Sequence, residues 1–96
     1  MEENKEKVFD ITSLDIYKLL GLFINILSSQ AWQYMGLRIR SGSDKVEKDL
    51  ERAKVAIDSI ELLISKIEDH VKEEEKTHLK NLLTDLQINF VRIIKS

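Results

Sequence analysis

The second half of the chain carries the most regular alternation of apolar and polar positions. Its apolar side chains recur at alternating intervals of four and three residues, at Val46, Leu50, Ala53, Ile57, Ile60, Ile64, Ile67 and Val71. This spacing is typical of a helix that packs along a neighbouring helix. Asp44, followed three residues later by Glu47, provides a variant of the capping box, so we predict a helix over about residues 44–69.

A later apolar stripe has a different phase and indicates another helix. Its members are Leu79, Leu83, Leu86, Phe90 and Ile93. Continuing the earlier stripe in phase would place Glu75 and His78 on the apolar face, which breaks the pattern. We therefore predict a tight turn near residues 69–71 and a separate helix over about residues 72–95. One uninterrupted helix over about residues 44–95 is the alternative.

The N-terminal part contains nineteen consecutive uncharged residues that end at Leu37. Thr12 or Ser13 is suited to cap a helix before them, and Gly36 is suited to end it. The chain therefore predicts a first helix over about residues 13–35, followed by a loop that contains glycine and serine. Together the three helices predict an all-α, three-helix up-down bundle.

The apolar side chains of this first helix cover more of its circumference than one small bundle can bury. They spread over well over half of the helical wheel, whereas a surface helix usually has an apolar stripe a little wider than about 100°. Leaving several large side chains exposed would forgo roughly 1.5–3 kcal/mol each. We therefore expect self-association through this helix, with a homodimer favoured and a tightly wrapped monomer as the alternative.

The expected interface residues are Leu20, Phe23, Leu27 and Trp32. For Trp32, capping the end of its own core is an equal alternative, because tryptophan suits both kinds of helix contact.

Two polar residues are expected to be buried. Gln30 lies among apolar neighbours, and an unpaired buried amide costs roughly 1–3 kcal/mol, so it must be hydrogen-bonded. Asp58 adjoins the apolar seam, where we expect a boundary carboxylate that is hydrogen-bonded or paired across helices.

Length and charge narrow the class of protein. The 96 residues suit one helical domain over residues 12–96, preceded by a charged tail over residues 1–11 that we expect to be flexible. The formal charge of −2 argues against a nucleic-acid partner. No cysteine is present, and the acidic N-terminus lacks the apolar segment of a secretory signal, so we expect a cytoplasmic protein. Polar residues inside the uncharged segment, Asn25 and Gln33 among them, argue against a membrane span.

Candidate chemistry is sparse. Glu75 and His78 have the Glu-x-x-His spacing of di-iron bundles, with His70 nearby, but they lie in the most polar stretch of the chain and the spacing occurs once. A basic cluster around the first loop, which we expect to be solvated, consists of Arg38, Arg40, Lys45 and Lys48. Because no catalytic or nucleotide-binding motif is present, we expect a protein that is not an enzyme and needs no cofactor.

Several elements are similar to those of a known family. They are Gln30-Ala31, Met35-Gly36, Leu50-Glu-Arg-Ala-Lys-Val-Ala-Ile-Asp58, Leu62-Leu63 and Leu82-Leu83-Thr-Asp-Leu86 with Phe90-Val91. Through these elements, residues 17–94 resemble the bacterial family called domain of unknown function 1844. The chain departs from that family at Asp69-His70, where Gly-Asn is usual, at Lys72, where a capping threonine is usual, and at Gln87, where arginine is usual. The resemblance implies an α-helical protein without an assigned activity.

Three hypotheses about function follow. The leading one is a non-enzymatic helical protein that self-associates through its first helix, with an adaptor role as one form of it. The second is a monomeric binding module that takes a helical segment of a partner protein on the same face. The third, a distant one, is a metal-dependent enzyme that uses His70, Glu75 and His78.

Overall fold

The computed structural model describes residues 10–39, 42, 45–46 and 48–96. In these residues the chain forms three α-helices, which we call α1 (Ile16–Tyr34), α2 (Leu50–Ile67) and α3 (Glu73–Lys95). Two 3₁₀ helices, Ile11–Ser13 and Glu68–His70, complete the described secondary structure, which contains no strand. The predicted all-α three-helix bundle is confirmed. Most of the predicted tail, and the predicted capping pair Asp44 and Glu47, lie outside the described residues.

α1 begins later than predicted, because Asp15 rather than Thr12 or Ser13 is its cap. The Asp15 carboxylate accepts a hydrogen bond from the Tyr17 backbone N–H at 3.0 Å. Thr12 and Ser13 belong instead to the preceding 3₁₀ helix, where both hydroxyls donate to the carboxylate of Asp10. As the N-cap, the Asp15 carboxylate satisfies one of the backbone N–H groups that the first turn leaves unpaired.

α1 ends at the predicted glycine. Gly36 has a φ of +81°, which lies in the left-handed region. The Gly36 N–H donates to the Gln33 carbonyl at 3.0 Å, and the Leu37 N–H donates to the Trp32 carbonyl at 3.0 Å. These two bonds form a Schellman motif, which satisfies carbonyls that the helix itself leaves unpaired.

α2 begins at Leu50, later than predicted. Asp49 caps it by accepting a hydrogen bond from the Arg52 backbone N–H at 3.0 Å. The backbone N–H of Asp49 in turn donates to the Tyr34 carbonyl at 2.7 Å, which ties the start of α2 to the end of α1.

An isolated antiparallel bridge between Met35 and Lys48 closes the loop at the same place. Because Lys48 pairs with Met35 and Asp49 with Tyr34, these two residues do not extend the helix, which begins at Leu50. The prediction that Val46 belongs to the helical seam is therefore wrong, and 52% of its surface is exposed.

The turn between α2 and α3 lies where the sequence places it. The 3₁₀ helix Glu68–His70 follows α2 directly, and Val71 is extended. Lys72 precedes α3 without a capping hydrogen bond from its side chain. Three glutamates in the first turn of α3 provide the negative charge that favours a helix N-terminus. α2 and α3 are therefore separate helices.

The core lies along α2. Its buried apolar side chains are Ala53, Ala56, Ile57, Ile60, Ile64 and Ile67, which confirms the inward seam apart from its ends. α1 packs extensively along α2, and α3 packs against α2 more than against α1. Leu79 and Leu86 of α3 are buried, and Leu83, Phe90 and Ile93 pack against the core. This arrangement covers one side of α1 and leaves the opposite side open.

Candidate functional site

The inward side of α1 is formed by residues four and three positions apart. Ile24, Ala31 and Met35 are buried, and Ser28 is buried with only 8% of its surface exposed. Ser28 and Ala31 are small, so they allow the neighbouring helices to approach closely. The core-facing side of α1 is therefore narrow and already filled.

A second row of side chains runs along the opposite side of α1, and we call it the outer seam. Its members are Ile16, Leu19, Phe23, Ile26, Gln30 and Gln33, at intervals of three, four, three, four and three residues. Ile16, Phe23 and Ile26 expose 54%, 37% and 50% of their surfaces. Leu19 and Gln33 are half-buried, and Gln30 is exposed. This spacing is that of a helix seam prepared for another helix.

The structure divides the four predicted interface residues between the two sides of α1. Leu20, Leu27 and Trp32 are partly buried and pack against the chain's own core, whereas Phe23 is exposed. Leu20 and Leu27 lie between the two rows on the helical wheel. The open surface of α1 is therefore centred on Phe23 and Ile26 rather than on Leu20 and Leu27.

Both residues predicted to be buried and polar are exposed in the chain. Gln30 projects from the outer seam, away from the core, so the prediction that it is buried within this bundle is wrong. Asp58 exposes 56% of its side chain and accepts a hydrogen bond from the Lys54 ammonium at 2.8 Å. Lys54 is four residues earlier in α2, so the pair lies within one helix and not across helices. Neither residue is a polar core group.

Trp32 lines a groove between α1 and α3. The groove has a volume of about 260 Å³, and its walls are Ser28, Trp32, His78, Asn81, Leu82 and Asp85. Its polar groups are an imidazole, an amide, a hydroxyl and a carboxylate on a partly apolar floor. The groove is smaller than the roughly 300–1,000 Å³ usual for small-molecule sites. Three of its six wall residues, His78, Asn81 and Asp85, are exposed.

His70 lies in a different groove, at the start of α1. Its ring stacks on Tyr17 with centroids 4.4 Å apart and an interplanar angle of 16°. Glu75 lines this groove, whereas His78 lines the one beside Trp32. The three residues of the metal-enzyme hypothesis are therefore not brought together. In the described ranges, no group of three His, Asp or Glu side chains could hold a metal ion.

The clearest electrostatic feature is at the start of α2. The Arg52 backbone N–H and then its guanidinium hold the pKa of Asp49 below its ordinary value. The guanidinium lies 2.7 Å from the carboxylate. Three residues of the predicted basic cluster, Arg38, Lys45 and Lys48, are exposed around the loop. Arg40 lies outside the described residues.

Sequence reasoning missed Ile26 and Leu19 as members of the open surface. The signal was present, because the outer seam has the same alternating spacing as the seam of α2. The apolar wheel of α1 merges the two seams into one broad arc, so the arc alone does not separate them. Within the described part of the chain, no helix has the length and apolarity that crossing a bilayer requires.

Comparison with known proteins gives one result. The family model described as Domain of unknown function (DUF1844) matches residues 18–92, from the first turn of α1 to near the end of α3. No curated protein and no solved structure matches the chain.

Proposed function

Because the chain belongs to the family described as domain of unknown function 1844, we propose a role from its surfaces: a non-enzymatic helical protein that self-associates through the outer seam of α1. The observation that carries this proposal is an exposed apolar row on the helix face opposite the core. An adaptor role is one form that such an assembly takes, with the second copy presenting duplicate surfaces to other proteins.

Phe23 and Ile26, the exposed apolar centre of the outer seam, lie in a segment without charge, whereas several other exposed apolar side chains adjoin a charged residue. Val55 and Leu62 are exposed on α2 by 63% and 65%, but Lys54 and Glu61 adjoin them. Val91 is exposed on α3 beside Arg92. The segment from Leu19 to Leu37 contains no charged residue. Interface cores are depleted in charge, which favours the outer seam over the other two surfaces.

Burial of the outer seam would contribute a useful free energy of association. Ile16, Phe23 and Ile26 each keep between 37% and 54% of their surface in contact with water. Removing that remaining surface from water is worth roughly 1 kcal/mol for each side chain, about half of what full burial provides. A small helical domain commonly gains stability in this way by adding a second copy.

The pKa shifts of the described residues support a non-catalytic role. They occur at Asp10, Asp49, Arg52 and Lys54. Each arises from a helix cap or from an exposed ion pair within one helix. Catalytic groups, in contrast, usually have pKa values shifted by burial and by charged partners inside a cleft.

The proposal is tested by measuring the molar mass with size-exclusion chromatography and light scattering. The wild-type chain should elute with at least twice the 11.2 kDa mass of one chain. Ile26→Asp should reduce that mass to a monomer while the circular dichroism signal of the helices persists. The fold should persist because Ile26 is 50% exposed and does not contribute to the core.

Leu62→Asp is the matched control. Leu62 exposes 65% of its surface on α2, away from α1's outer seam, so the same substitution there should leave the mass unchanged. A wild-type monomer at high micromolar concentration would contradict self-association. Equal dissociation by both variants would show that the outer seam is not the contact surface.

A further inference from the structure

The outer seam has two chemically different ends. Its N-terminal members Ile16, Leu19, Phe23 and Ile26 are apolar, and its C-terminal members Gln30 and Gln33 carry amides. Neither amide hydrogen-bonds to another residue that the structure describes. The orientation of a second copy determines which of its side chains these amides contact. Any preferred orientation rests on the proposed self-association.

An antiparallel second copy places unlike residues opposite each other. If the two-fold axis crosses the seam between Phe23 and Ile26, Gln30 faces the partner's Leu19 and Gln33 faces the partner's Ile16. Each amide is then covered by an apolar side chain that offers no donor or acceptor. Covering an amide without a hydrogen bond is unfavourable, so this arrangement loses part of the free energy that the apolar contact contributes to association.

Shifting the antiparallel axis towards the amides removes this mismatch at the expense of overlap. An axis midway between Gln30 and Gln33 lets the two glutamines of one copy meet those of the other. The same shift moves Leu19 and Phe23 beyond the end of the partner's α1, which stops at Tyr34. Antiparallel pairing therefore satisfies the amides or covers the apolar residues, but not both.

We infer that the second copy lies parallel to the first and in register, with Gln30 as the orientation-determining residue. In this arrangement every seam residue faces its own equivalent. Apolar side chains meet apolar side chains, and the amide N–H of one Gln30 donates to the amide carbonyl of the partner's Gln30. A single polar position of this kind is a known way of fixing register and orientation in paired helices.

Charge does not oppose the parallel arrangement within the contact. The seam has no charged member, so equivalent residues bring no like charges together along it. The parallel arrangement brings Arg38 of both copies to the same end, but Arg38 is exposed and follows α1 rather than lying on the seam. Solvent and salt screen repulsion between such exposed charges.

Disulfide cross-linking of single-cysteine variants tests the orientation. The natural chain has no cysteine, so each variant carries one reporter. Under mild oxidation, Leu19→Cys and Gln33→Cys, which both retain Gln30, should form linked dimers, whereas Leu62→Cys should link only at the slower rate of random collision. The first two positions are fourteen residues apart, about 21 Å along the helix.

The result distinguishes the alternatives because a disulfide needs Cα atoms about 4.4–6.8 Å apart. In an antiparallel dimer at most one of the two positions can lie near the axis, and the other pair is then separated by about 42 Å. If the axis lies between Phe23 and Ile26, both pairs are about 16 Å or more apart, and neither links. Linking at one position only, or at neither above the Leu62→Cys rate, in a protein with dimer mass, therefore overturns the parallel arrangement and leaves self-association intact.

Pairing Gln33→Cys with Ile16→Cys instead guards against loss of the dimer through Leu19→Cys. Ile16→Cys and Gln33→Cys lie near the two ends of α1 and leave the central residues intact. Both should link under the parallel arrangement, and failure of either with dimer mass overturns it. A wild-type mass of one chain contradicts the proposed function itself, so the two failures are distinguishable before any cysteine is introduced.

Discussion

At the scale of single residues, Asp49 connects the start of α2 to the end of α1. Its carboxylate caps α2 and pairs with the Arg52 guanidinium, while its backbone N–H binds the Tyr34 carbonyl. Asp49 therefore stabilises the first turn of α2, forms an ion pair there, and holds the start of α2 against the end of α1. Asp58, in contrast, makes one exposed ion pair within α2. The cap Asp49 and the helical residue Asp58 therefore differ in the contacts that their removal would break.

We expect Asp49→Ala to lower the Tm by a few degrees, because it removes the cap of α2. Asp58→Ala is the control and should change the Tm little, since exposed ion pairs within a helix contribute little. Thermal unfolding followed by circular dichroism measures both. Equal losses in the two variants would contradict the special role of the cap.

The effect of Asp49 should depend on pH in one direction. Its pKa in the folded chain lies below the ordinary value of 3.8, so the stabilisation is present at neutral pH. It is lost as the pH falls below 3.8 and through the folded pKa, because protonation removes the charged hydrogen bonds. The difference in Tm between wild type and Asp49→Ala should therefore narrow in acid.

At the scale of the element, the length of α1 is set by its two ends. Asp15 begins the helix and Gly36 ends it with a positive φ. A Cβ at Gly36 would lie 3.3 Å from a methyl carbon of Val46, so the residue has both a conformational and a steric reason to be glycine. Gly21 lies inside α1, where a Cβ would meet nothing closer than 4.0 Å.

Alanine substitutions at these glycines should have opposite effects. Gly36→Ala should lower the free energy of unfolding by about 1–2 kcal/mol, because alanine disfavours the left-handed conformation. Gly21→Ala should raise it by about 0.5–1 kcal/mol, because alanine favours the helix interior. Urea unfolding at one protein concentration measures both changes.

Gly42→Ala separates the two causes at Gly36. Gly42 also has a positive φ, of +83°, but a Cβ there would have no neighbour within 4 Å. Its substitution should therefore cost less than Gly36→Ala. If both variants lose the same stability, the contact with Val46 contributes nothing and the conformational cost alone explains the result.

At the scale of the whole molecule, the arrangement of helices leaves α1 covered on one side only. α2 takes the central position and contacts both neighbours, while α3 contacts α2 more than α1. A bundle in which α1 lies at the edge keeps the outer seam in solvent. Self-association would then be part of the stability of the protein, because unfolding would also separate the copies.

The thermal midpoint should therefore rise with protein concentration. We expect an increase of several degrees over an approximately 100-fold range for the wild-type chain, as mass action favours the associated folded state. Ile26→Asp should have a lower midpoint that does not change with concentration. A wild-type midpoint independent of concentration would contradict the coupling of folding and association.

Much of this fold can be predicted from local features of the sequence. The separation of α2 from α3 follows from a change in apolar phase, and the end of α1 follows from a glycine that can adopt a positive φ. The inward seam of α2 follows from its spacing, because only one of its faces is apolar. These features are local, so the sequence by itself determined three helices, their order and the buried face of α2.

Only the tertiary structure decided where α2 begins and which side of α1 is buried. The start of α2 depends on a hydrogen bond between Asp49 and Tyr34, residues far apart along the chain. α1 has two seams with similar spacing, and the choice between them depends on which one fits its neighbours. Small side chains at Ser28 and Ala31 let the neighbouring helices approach, so that side is buried and Gln30 is left in solvent.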